Sequence, residues 1–546
     1  MKQSNPIKID GIYYRLNHNN KTAEVTYDDD DKYIGAIIIP QSISFNGELH
    51  TVADIGECAF DGCSGLTSII IPNSVTVIDE GAFYGCSGLT SITIPYSVTD
   101  IGGAAFAGCS GLTAITVEPN NKRYDSRNNC NAIIETSTNG LIVGCKNTVI
   151  PNSVVSIGEC AFDGCSEMTS ATIPNSITDI GDNAFYKCTG LTSITIPDSV
   201  INIGRGAFER CFGLKSITLP NSITDIGNAA FDGCSRLTSI SIPNSVTDIG
   251  SDAFAGCSEL TAINVEPNNK RYDSRNNCNA IIETSTNKLI AGCKCTVIPN
   301  SVTAIGNDAF YKCIRLTSVT IPNSITTIKE NAFIGCSILT TIIVPNSVTN
   351  IGEGAFAGCS SLKAISVEPN NKVYDSRNNC NAIIKTSTNE LIAGCKSTVI
   401  PRSVTAIGND AFNGCSRLTS IIIPNSITDI GDRAFYGCSG LTSVAISNSV
   451  TKIGYATFAH CTRLTLASIP GSVTTIGHDA FYGCSSLVTV KCSATTPPIC
   501  ETDTFDGINN YCRLFVPKGS IDKYKAAEEW RNFVHISAIE DMDEPF

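Results

Sequence analysis

The chain has 546 residues, of which 42% are hydrophobic and 16% charged, with 44 glycines and 22 prolines. This apolar content is sufficient for a continuous core and excludes a disordered chain. The formal net charge of -13 and the pI near 4.9 argue against nucleic acid and anionic membranes as partners, because both require clustered Lys and Arg.

The N-terminal segment, residues 1–50, contains two stretches of alternating polarity, IKIDGIYYRL and KTAEVTYDDDD. Alternation with a period of two predicts β-strands. We expect these strands to form a cap on the repeat array that follows, since such an array needs polar ends.

A phrase of 23 residues that ends in Phe-x-x-Cys recurs fifteen times between residues 51 and 490. A typical copy, LTSIIIPNSVTVIDEGAFYGC, ends at Cys86. The closing cysteines are 23 residues apart within a block and 56 residues apart between blocks. Repetition at such a period predicts one solenoid, in which each coil packs on its neighbours, rather than a row of globular domains.

Within one coil, the alternation around Ile69 and Ile71 predicts a short strand of a parallel sheet with these two side chains inward. Pro72 ends the strand because it has no N–H to donate. The Ala-Phe pair and the closing Cys then return to the core, where stacked coils bury them as ladders. We interpret the glycine that follows the isoleucine, as at Gly102, as a tight bend with positive φ.

Three longer units, 118–150, 266–298 and 368–400, interrupt the array. In each, two apolar segments such as CNAII and LIVGC flank a polar Thr-Ser-Thr-Asn segment, which is a β-hairpin signal. We expect each unit to be an expanded coil whose outer arc carries a projecting hairpin. The units also concentrate cationic and aromatic side chains, and these are candidate ligand contacts: Lys122, Arg123, Tyr124, Arg127, Lys270, Arg271, Tyr272, Arg275, Lys372, Tyr374 and Arg377.

Cysteine is unusually frequent, with 27 copies, and fifteen of them occupy the closing position of the repeat. A reduced cysteine behaves as a small buried hydrophobe, and the parallel directions of stacked side chains disfavour disulfides there. In each long unit, a 15-residue interval instead places two cysteines on facing hairpin strands. These are candidate disulfides if the protein is exported: Cys130 with Cys145, Cys278 with Cys293, and Cys380 with Cys395.

The C-terminal segment, residues 491–546, ends in an acidic tail. Apolar residues at near-helical spacing follow Ser520, a candidate N-cap, and predict a capping helix: Ile521, Tyr524, Ala527, Trp530 and Phe533. We expect Trp530 to pack in this cap rather than to contact a ligand.

Catalytic motifs are missing from the sequence. The five histidines, His18, His50, His460, His478 and His535, lie at unrelated positions, and none is part of a cysteine or serine catalytic motif. There is no nucleophile elbow, phosphate-binding loop or metalloprotease motif, and the cysteine spacings lack the paired CxxC of zinc sites. We therefore expect no catalytic residue, no cofactor and no metal ligand.

The outward face of the predicted sheet is flat, hydroxylated and nearly uncharged. Such a face can dock a protein or a glycan through many shallow contacts, or it can merely keep a parallel sheet soluble. Its two rows contain Ser68, Ser91, Ser193, Ser216, Ser239 and Ser318, and Thr93, Thr116, Thr172, Thr195, Thr218 and Thr320.

The repeat phrase resembles the BspA-like, or Treponema pallidum-type, leucine-rich repeats, whose pattern is LxxIxIPxSVxxIGxxAFxxC. The resemblance covers residues 50–490, and the C-terminal segment is similar to a module of BspA-like proteins of Bacteroidales bacteria. It implies a leucine-rich repeat solenoid of fifteen coils and three expanded coils. It also implies a non-enzymatic adhesin-like protein, on the surface of a gut or oral bacterium or secreted, that holds host matrix proteins, cell-surface proteins or other cells.

Two other functions stay open from the residues. No apolar core of a secretory signal follows Met1, so an intracellular or periplasmic interaction scaffold with free thiols is the alternative to export. A third hypothesis is a carbohydrate or ice surface built on the Ser and Thr rows, although Ile70, Ile343 and Ile422 interrupt them. The sequence contains no transmembrane segment and does not indicate an oligomeric state.

Overall fold

A computed structural model describes residues 6–28 and 32–541. The chain forms two compact units, Met1–Asp273 and Ser274–Phe546. Residues 1–5, 29–31 and 542–546 lie outside the described residues, and with them the start of the chain, part of the second N-terminal stretch and the end of the acidic tail. Each unit is a β-solenoid, which confirms the predicted fold class.

In the first unit, most coils contribute two parallel strands, of which the sequence predicted only the first. Ile92 pairs with Ile115 in the strand before the proline, and Ile78 pairs with Ile101 in a second, two-residue strand. Ile69 and Ile71 are buried, as predicted. We call the strands before the proline the first ladder: Leu66–Ile70, Ser91–Ile94, Ala114–Val117, Ser170–Thr172, Ser193–Thr195, Ser216–Thr218, Ser239–Ile242 and Ala262–Val265. We call the two-residue strands the second ladder: Val77–Ile78, Asp100–Ile101, Ser156–Ile157, Asp179–Ile180, Asn202–Ile203, Asp225–Ile226 and Asp248–Ile249.

The N-terminal segment begins with an antiparallel meander. The first predicted strand is divided by a turn into Ile7–Ile9 and Ile12–Asn17, and the second forms Thr22–Thr26. The third strand of the meander, Thr22–Thr26, pairs in parallel with Glu48–Ile55, and Ile55 then pairs with Ile78 of the second ladder. The meander therefore joins the repeat through backbone hydrogen bonds. The strands of the N-terminal segment are Ile7–Ile9, Ile12–Asn17, Thr22–Thr26, Gly35–Ile38, Ser42–Phe45 and Glu48–Ile55. Of these, Gly35–Ile38 pairs in parallel with Leu66–Ile70 of the repeat.

The core is built from in-register ladders of phenylalanine and cysteine. The rings of Phe185 and Phe208 stack with centroids 5.3 Å apart and planes 4° apart. The fifteen repeat cysteines are all buried. The Cys211 thiol lies 3.1 Å from the carbonyl oxygen of Phe185, to which it donates, and most repeat cysteines make the same contact. The thiols thus link neighbouring coils, a role that sequence periodicity does not reveal.

The interpretation of Gly102 as a positive-φ bend is wrong, because its φ lies outside the left-handed region. Glycine is needed there for another reason. A Cβ atom on Gly102 would lie 2.4 Å from the backbone nitrogen of Glu80 on the preceding coil. The side chain is therefore excluded by the close approach of two coils.

The first long unit contains the predicted hairpin, in which Ala132–Glu135 pairs antiparallel with Gly140–Gly144. The expectation that it projects from the outer arc is wrong. Leu141 pairs in parallel with Ile157 of the next coil, and Ile133, Ile134 and Leu141 are fully buried. The second hairpin strand therefore belongs to the second ladder. The first long unit also contains the strand Tyr124–Asp125 and the 3-10 turn Arg127–Asn129. The second long unit contains the corresponding strand, Tyr272–Asp273.

The second compact unit, Ser274–Phe546, repeats this plan. Its two hairpins pair Ala280–Glu283 with Lys288–Gly292, and Ile383–Lys385 with Glu390–Ala393. Its first-ladder strands are Thr341–Val344, Ala364–Val367, Ser443–Ala445, Leu466–Ile469, Thr489–Cys492, Arg513–Val516 and His535–Ala538. The second-ladder strands are Ala304–Ile305, Thr327–Ile328, Asn350–Ile351, Ala406–Ile407, Asp429–Ile430, Lys452–Ile453, Thr475–Ile476 and Ile499–Cys500; Tyr374–Asp375 and the 3-10 turns Arg275–Asn277 and Arg377–Asn379 belong to the long units.

The third hairpin has two buried faces. Ile383, Ala393 and Cys395 belong to the core cluster that contains the preceding coils. Ile384 and Leu391 belong to the cluster that contains the following coils. The hairpin is a partition between two cores, which explains why both of its faces are apolar.

The C-terminal cap contains the predicted helix, but only over Ile521–Ala526. The helix ends because Ala527 is extended, with φ of -83° and ψ of 141°. Glu529 then has a φ of 62°, and 3-10 turns occupy Lys518–Ser520, Trp530–Asn532 and Ile539–Asp541. The Ser520 hydroxyl does not cap the helix; it donates to the carbonyl oxygen of Thr495 at 2.9 Å. Trp530 is fully buried, as expected, and its indole N–H donates to the carbonyl oxygen of Pro498.

Within the described ranges, no helix has the length and apolar character needed to cross a membrane.

Candidate functional site

The outward face of the first ladder carries most of the predicted hydroxyl rows, but Ser318 and Thr320 lie on a segment that forms no strand. Ser193 pairs with Ser216 and Thr195 with Thr218 in register, and these side chains are exposed. The hydroxyl oxygens of Thr93 and Thr116 are 3.0 Å apart and share a hydrogen bond. Neighbouring coils therefore satisfy part of each other's polar groups on this face.

Apolar side chains occupy some of the outward positions of the repeat in each of the two compact units. In the first unit, Ile38 pairs in register with Ile70, and their exposed fractions are 68% and 59%. In the second compact unit, Val399 and Ile422 are one repeat apart on segments that form no strand, with exposed fractions of 72% and 86%. Each unit thus presents two large apolar side chains to solvent on adjacent coils.

The candidate cations of the long units divide into two groups. Lys122, Arg123, Lys270, Arg271 and Lys372 are exposed. Arg123 lies 3.3 Å from Glu135 and 3.7 Å from Asp100, so its charge is partly balanced. Beside it is an open depression of about 530 Å³, lined among others by Tyr96, Lys122 and Arg123.

The arginines nearer the hairpin are structural. Arg127 makes two hydrogen bonds from Nε and Nη2 to Asp125, at 2.8 and 2.7 Å, and a third to Asn139. Arg377 repeats this arrangement with Asp375 and Asn389. The guanidinium of Arg275 donates to Asn287 at 2.8 Å.

The candidate tyrosines Tyr124, Tyr272 and Tyr374 are buried. The hydroxyl oxygen of Tyr124 accepts a hydrogen bond from the backbone N–H of Ile101 at 3.1 Å, and Tyr272 and Tyr374 do the same for Ile249 and Ile351. Burial raises the pKa of Tyr124. The three hydroxyl groups thus accept hydrogen bonds from backbone N–H groups at the edge of the second ladder. The rings lie away from solvent, so they cannot contact a ligand in this conformation.

The repeat pattern decides the family. Residues 41–139, 142–261, 281–393 and 383–511 match the BspA type leucine rich repeat region, in six copies. This chain belongs to the BspA-type leucine-rich repeat family. The predicted family is thereby confirmed, whereas a Bacteroidales source stays a prediction.

The BspA-type chain is also similar to solved structures. A leucine rich cell surface protein from Faecalibacterium prausnitzii is 28% identical, with 85% of this chain and 95% of that chain covered and a TM-score of 0.39. A leucine-rich repeat protein from Bacteroides ovatus is 26% identical, with 89% and 94% covered and a TM-score of 0.32. The Treponema pallidum leucine rich repeat protein is 24% identical, with 46% and 90% covered and a TM-score of 0.24. No curated protein matches the chain.

The structure contains none of the candidate disulfides: all 27 cysteines lie among its described residues and are free thiols, and pairing on export stays a prediction. The third pair shows the reason. Cys395 packs with the preceding core and Cys380 with the following core, because the hairpin separates them. In the first pair, the thiols of Cys130 and Cys145 are directed to different carbonyl groups, those of Ala132 and Asn131.

Among the described residues, the structure brings together two groups of side chains that could hold a metal ion, and sequence reasoning missed both. His18, Glu48 and His50 form one, and His478, Asp479 and Asp503 form the other. The first group joins a turn to a strand 30 residues later, so no local spacing signals it. In the second, His478 Nδ1 lies 3.0 Å from Asp479.

Proposed function

We propose that this BspA-type protein is a non-enzymatic binding protein that contacts a protein partner through the outward face of its repeat sheet. The observation that carries the proposal is the exposure of Ile38 and Ile70, which pair in register on that face. Val399 and Ile422 are exposed at the equivalent repeat positions of the second compact unit. Exposed apolar groups rimmed by polar residues are typical of protein or membrane contact sites.

Charge favours a protein over a membrane as the partner. The chain has a net charge of -13, which repels anionic lipid surfaces. The apolar pairs stand among hydroxyl groups of Ser and Thr, which can donate to and accept from a partner's backbone. A flat face of this kind fits a protein surface that combines apolar side chains with uncharged polar groups.

The family resemblance supports a location at the cell surface or outside the cell, and hence a host matrix protein or another cell as the source of the partner. An intracellular scaffold is the alternative. Biotinylation of intact cells with a reagent that does not cross membranes separates them. Labelling of the chain without labelling of a cytoplasmic marker supports the surface location, and labelling only after lysis supports the scaffold.

The binding test uses two double variants, Ile38→Ser with Ile70→Ser and Val399→Ser with Ile422→Ser. Ile499→Ser is the matched control, since Ile499 has an exposed fraction of 72% but lies on the second ladder. Binding to immobilised fibronectin, laminin and collagen is measured by interferometry, and adherence to epithelial cells by microscopy. We expect at least one double variant to lose tenfold or more in affinity while the control binds normally.

A further variant, Lys122→Ala with Arg123→Ala, tests the depression beside Tyr96. Loss of binding in this variant alone would move the contact surface from the sheet face to the first long unit. A glycan array with the unaltered chain tests the carbohydrate alternative. Glycan binding without protein binding would overturn the proposed function.

A further inference from the structure

The N-terminal meander brings two histidines together. His18 lies in the turn between the strands Ile12–Asn17 and Thr22–Thr26, and His50 lies on the strand Glu48–Ile55. Thr22 pairs with Thr51, which places this turn beside the beginning of the later strand. The two imidazole rings are 5.3 Å apart between centroids, at an angle of 80°.

His50 is the unusual member of this pair. Its exposed fraction is 0%, and neither ring nitrogen has a hydrogen-bond partner among the described residues. A buried polar group left without a partner has a cost in folding free energy, because it has lost its hydrogen bonds to water. A ligand that binds an imidazole nitrogen would remove that cost on one side of the ring.

Glu48 completes a donor set at the same place. One ligand atom from each of His18, Glu48 and His50 lies within 4.8 Å of the other two. His18 and Glu48 are exposed, so their side chains can rotate towards the buried imidazole. Two imidazole nitrogens and one carboxylate oxygen are a donor set used for Zn²⁺, with bonds of about 2.0–2.2 Å and the fourth position left to water.

We propose that His18, Glu48 and His50 bind a divalent transition-metal ion, and we take Zn²⁺ as its representative. His50 supplies the fixed ligand, and His18 and Glu48 close over the ion from the surface. Because the other ring nitrogen of His50 has no protein acceptor, the site lacks the outer partner that usually orients a metal-bound histidine, a loss of about 10- to 100-fold in affinity. We therefore expect a dissociation constant in the micromolar range.

The second group is a weaker candidate. His478 Nδ1 is also buried without a hydrogen bond, but the carboxylate of Asp479 lies 3.0 Å from it and 43% of the His478 side chain is exposed. It carries no proposal of its own. Because this second group exists, a test of zinc binding must show which of the two groups holds the ion.

The test is calorimetric titration of Zn²⁺ into chelator-treated full chain. All proteins carry Cys295→Ser, because Cys295 is exposed and its thiol is a competing ligand. The variants are His18→Ala and Glu48→Gln, both at exposed positions, and the control is His535→Ala, which removes another exposed histidine. A parallel titration with Co²⁺ reports the ligand type through its visible spectrum.

We expect one equivalent of Zn²⁺ to bind the parent and the His535→Ala control. Affinity should fall at least 100-fold in His18→Ala and about tenfold in Glu48→Gln, and Zn²⁺ should raise the Tm of the parent but not of His18→Ala. The proposal is overturned if the parent does not bind Zn²⁺ stoichiometrically, if His18→Ala binds like the parent, or if Co²⁺ shows a sulfur charge-transfer band.

Discussion

Gly144 lies directly against the ring of Phe162, so that a Cβ atom on Gly144 would be 2.2 Å from Cε1 of that ring. The same relationship joins Gly292 to Phe310 and Gly394 to Phe412, at 2.3 and 2.2 Å. The thiol of Cys165 is directed to the carbonyl oxygen of Gly144, as Cys188 is to that of Phe162. Gly144 therefore occupies the place of a repeat phenylalanine, without its side chain.

Substitution Gly144→Ala should lower the free energy of unfolding by about 1–3 kcal/mol, because overpacking forces either the ring or the hairpin strand to move. Urea unfolding followed by circular dichroism measures the change. Gly103→Ala is the matched control, since a Cβ atom there meets no atom within 4 Å. Equal stability of the two variants would contradict the packing role of Gly144.

Asp163 should make stability depend on pH. Its burial raises the pKa of its carboxyl group from 3.8 to about 6, with Lys187 opposing the shift. The folded state therefore favours the protonated form, and the stabilisation is complete below the unfolded pKa and lost as pH rises through 6. As pH rises from 5 to 7.5, we expect the titration of this group to lower the free energy of unfolding by about 1–1.5 kcal/mol.

The variant Asp163→Asn tests this account, because Asn413 occupies the same place after Phe412 and its carbonyl oxygen accepts from Gly358, as that of Asp163 accepts from Gly108. The variant should be more stable than the parent at pH 7.5 and should lose part of the pH dependence in urea unfolding. An identical pH profile in both proteins would show that Asp163 does not titrate with folding.

Native alkylation should label Cys295 first. Cys295 is exposed, whereas the repeat cysteines are buried, and burial raises the pKa of Cys211 and of Cys359 to about 12. Since the thiolate is the reactive form, iodoacetamide at pH 8 should modify the repeat cysteines only after denaturation. Peptide mass spectrometry reads each site, with Cys295→Ser as the control. Rapid labelling of Cys211 in the folded chain would refute the buried ladder, and fewer than 27 thiols after denaturation would reveal disulfides.

Glu283 and Lys288 face each other across the second hairpin, with Nζ and Oε2 3.5 Å apart. The third hairpin has the reverse order, with Lys385 paired to Glu390. Glu283→Lys should therefore destabilise the chain by about 0.2–1 kcal/mol through like charges on opposite strands, and adding Lys288→Glu should restore most of the loss.

The urea unfolding midpoints of the parent, both single variants and the double variant form a double-mutant cycle for this pair. The effect should shrink in high salt, because partly exposed charges are screened. A double variant no more stable than Glu283→Lys alone would contradict direct pairing of these side chains.

The sequence by itself determined the solenoid, its period, the inward ladder of isoleucine, phenylalanine and cysteine, and the presence of three hairpins. These features depend on local alternation and on repetition, which place equivalent residues such as Phe185 and Phe208 in equivalent environments. The same local pattern could not show whether a hairpin projects or lies in the core.

Only the tertiary structure decided the remaining roles. It separated Cys380 from Cys395, turned Tyr124 from a candidate contact into a buried edge partner, and joined His18 to His50. The physical reason is that these outcomes depend on which residues from different segments meet once the coils and the meander have packed. That proximity leaves no periodic trace in the chain.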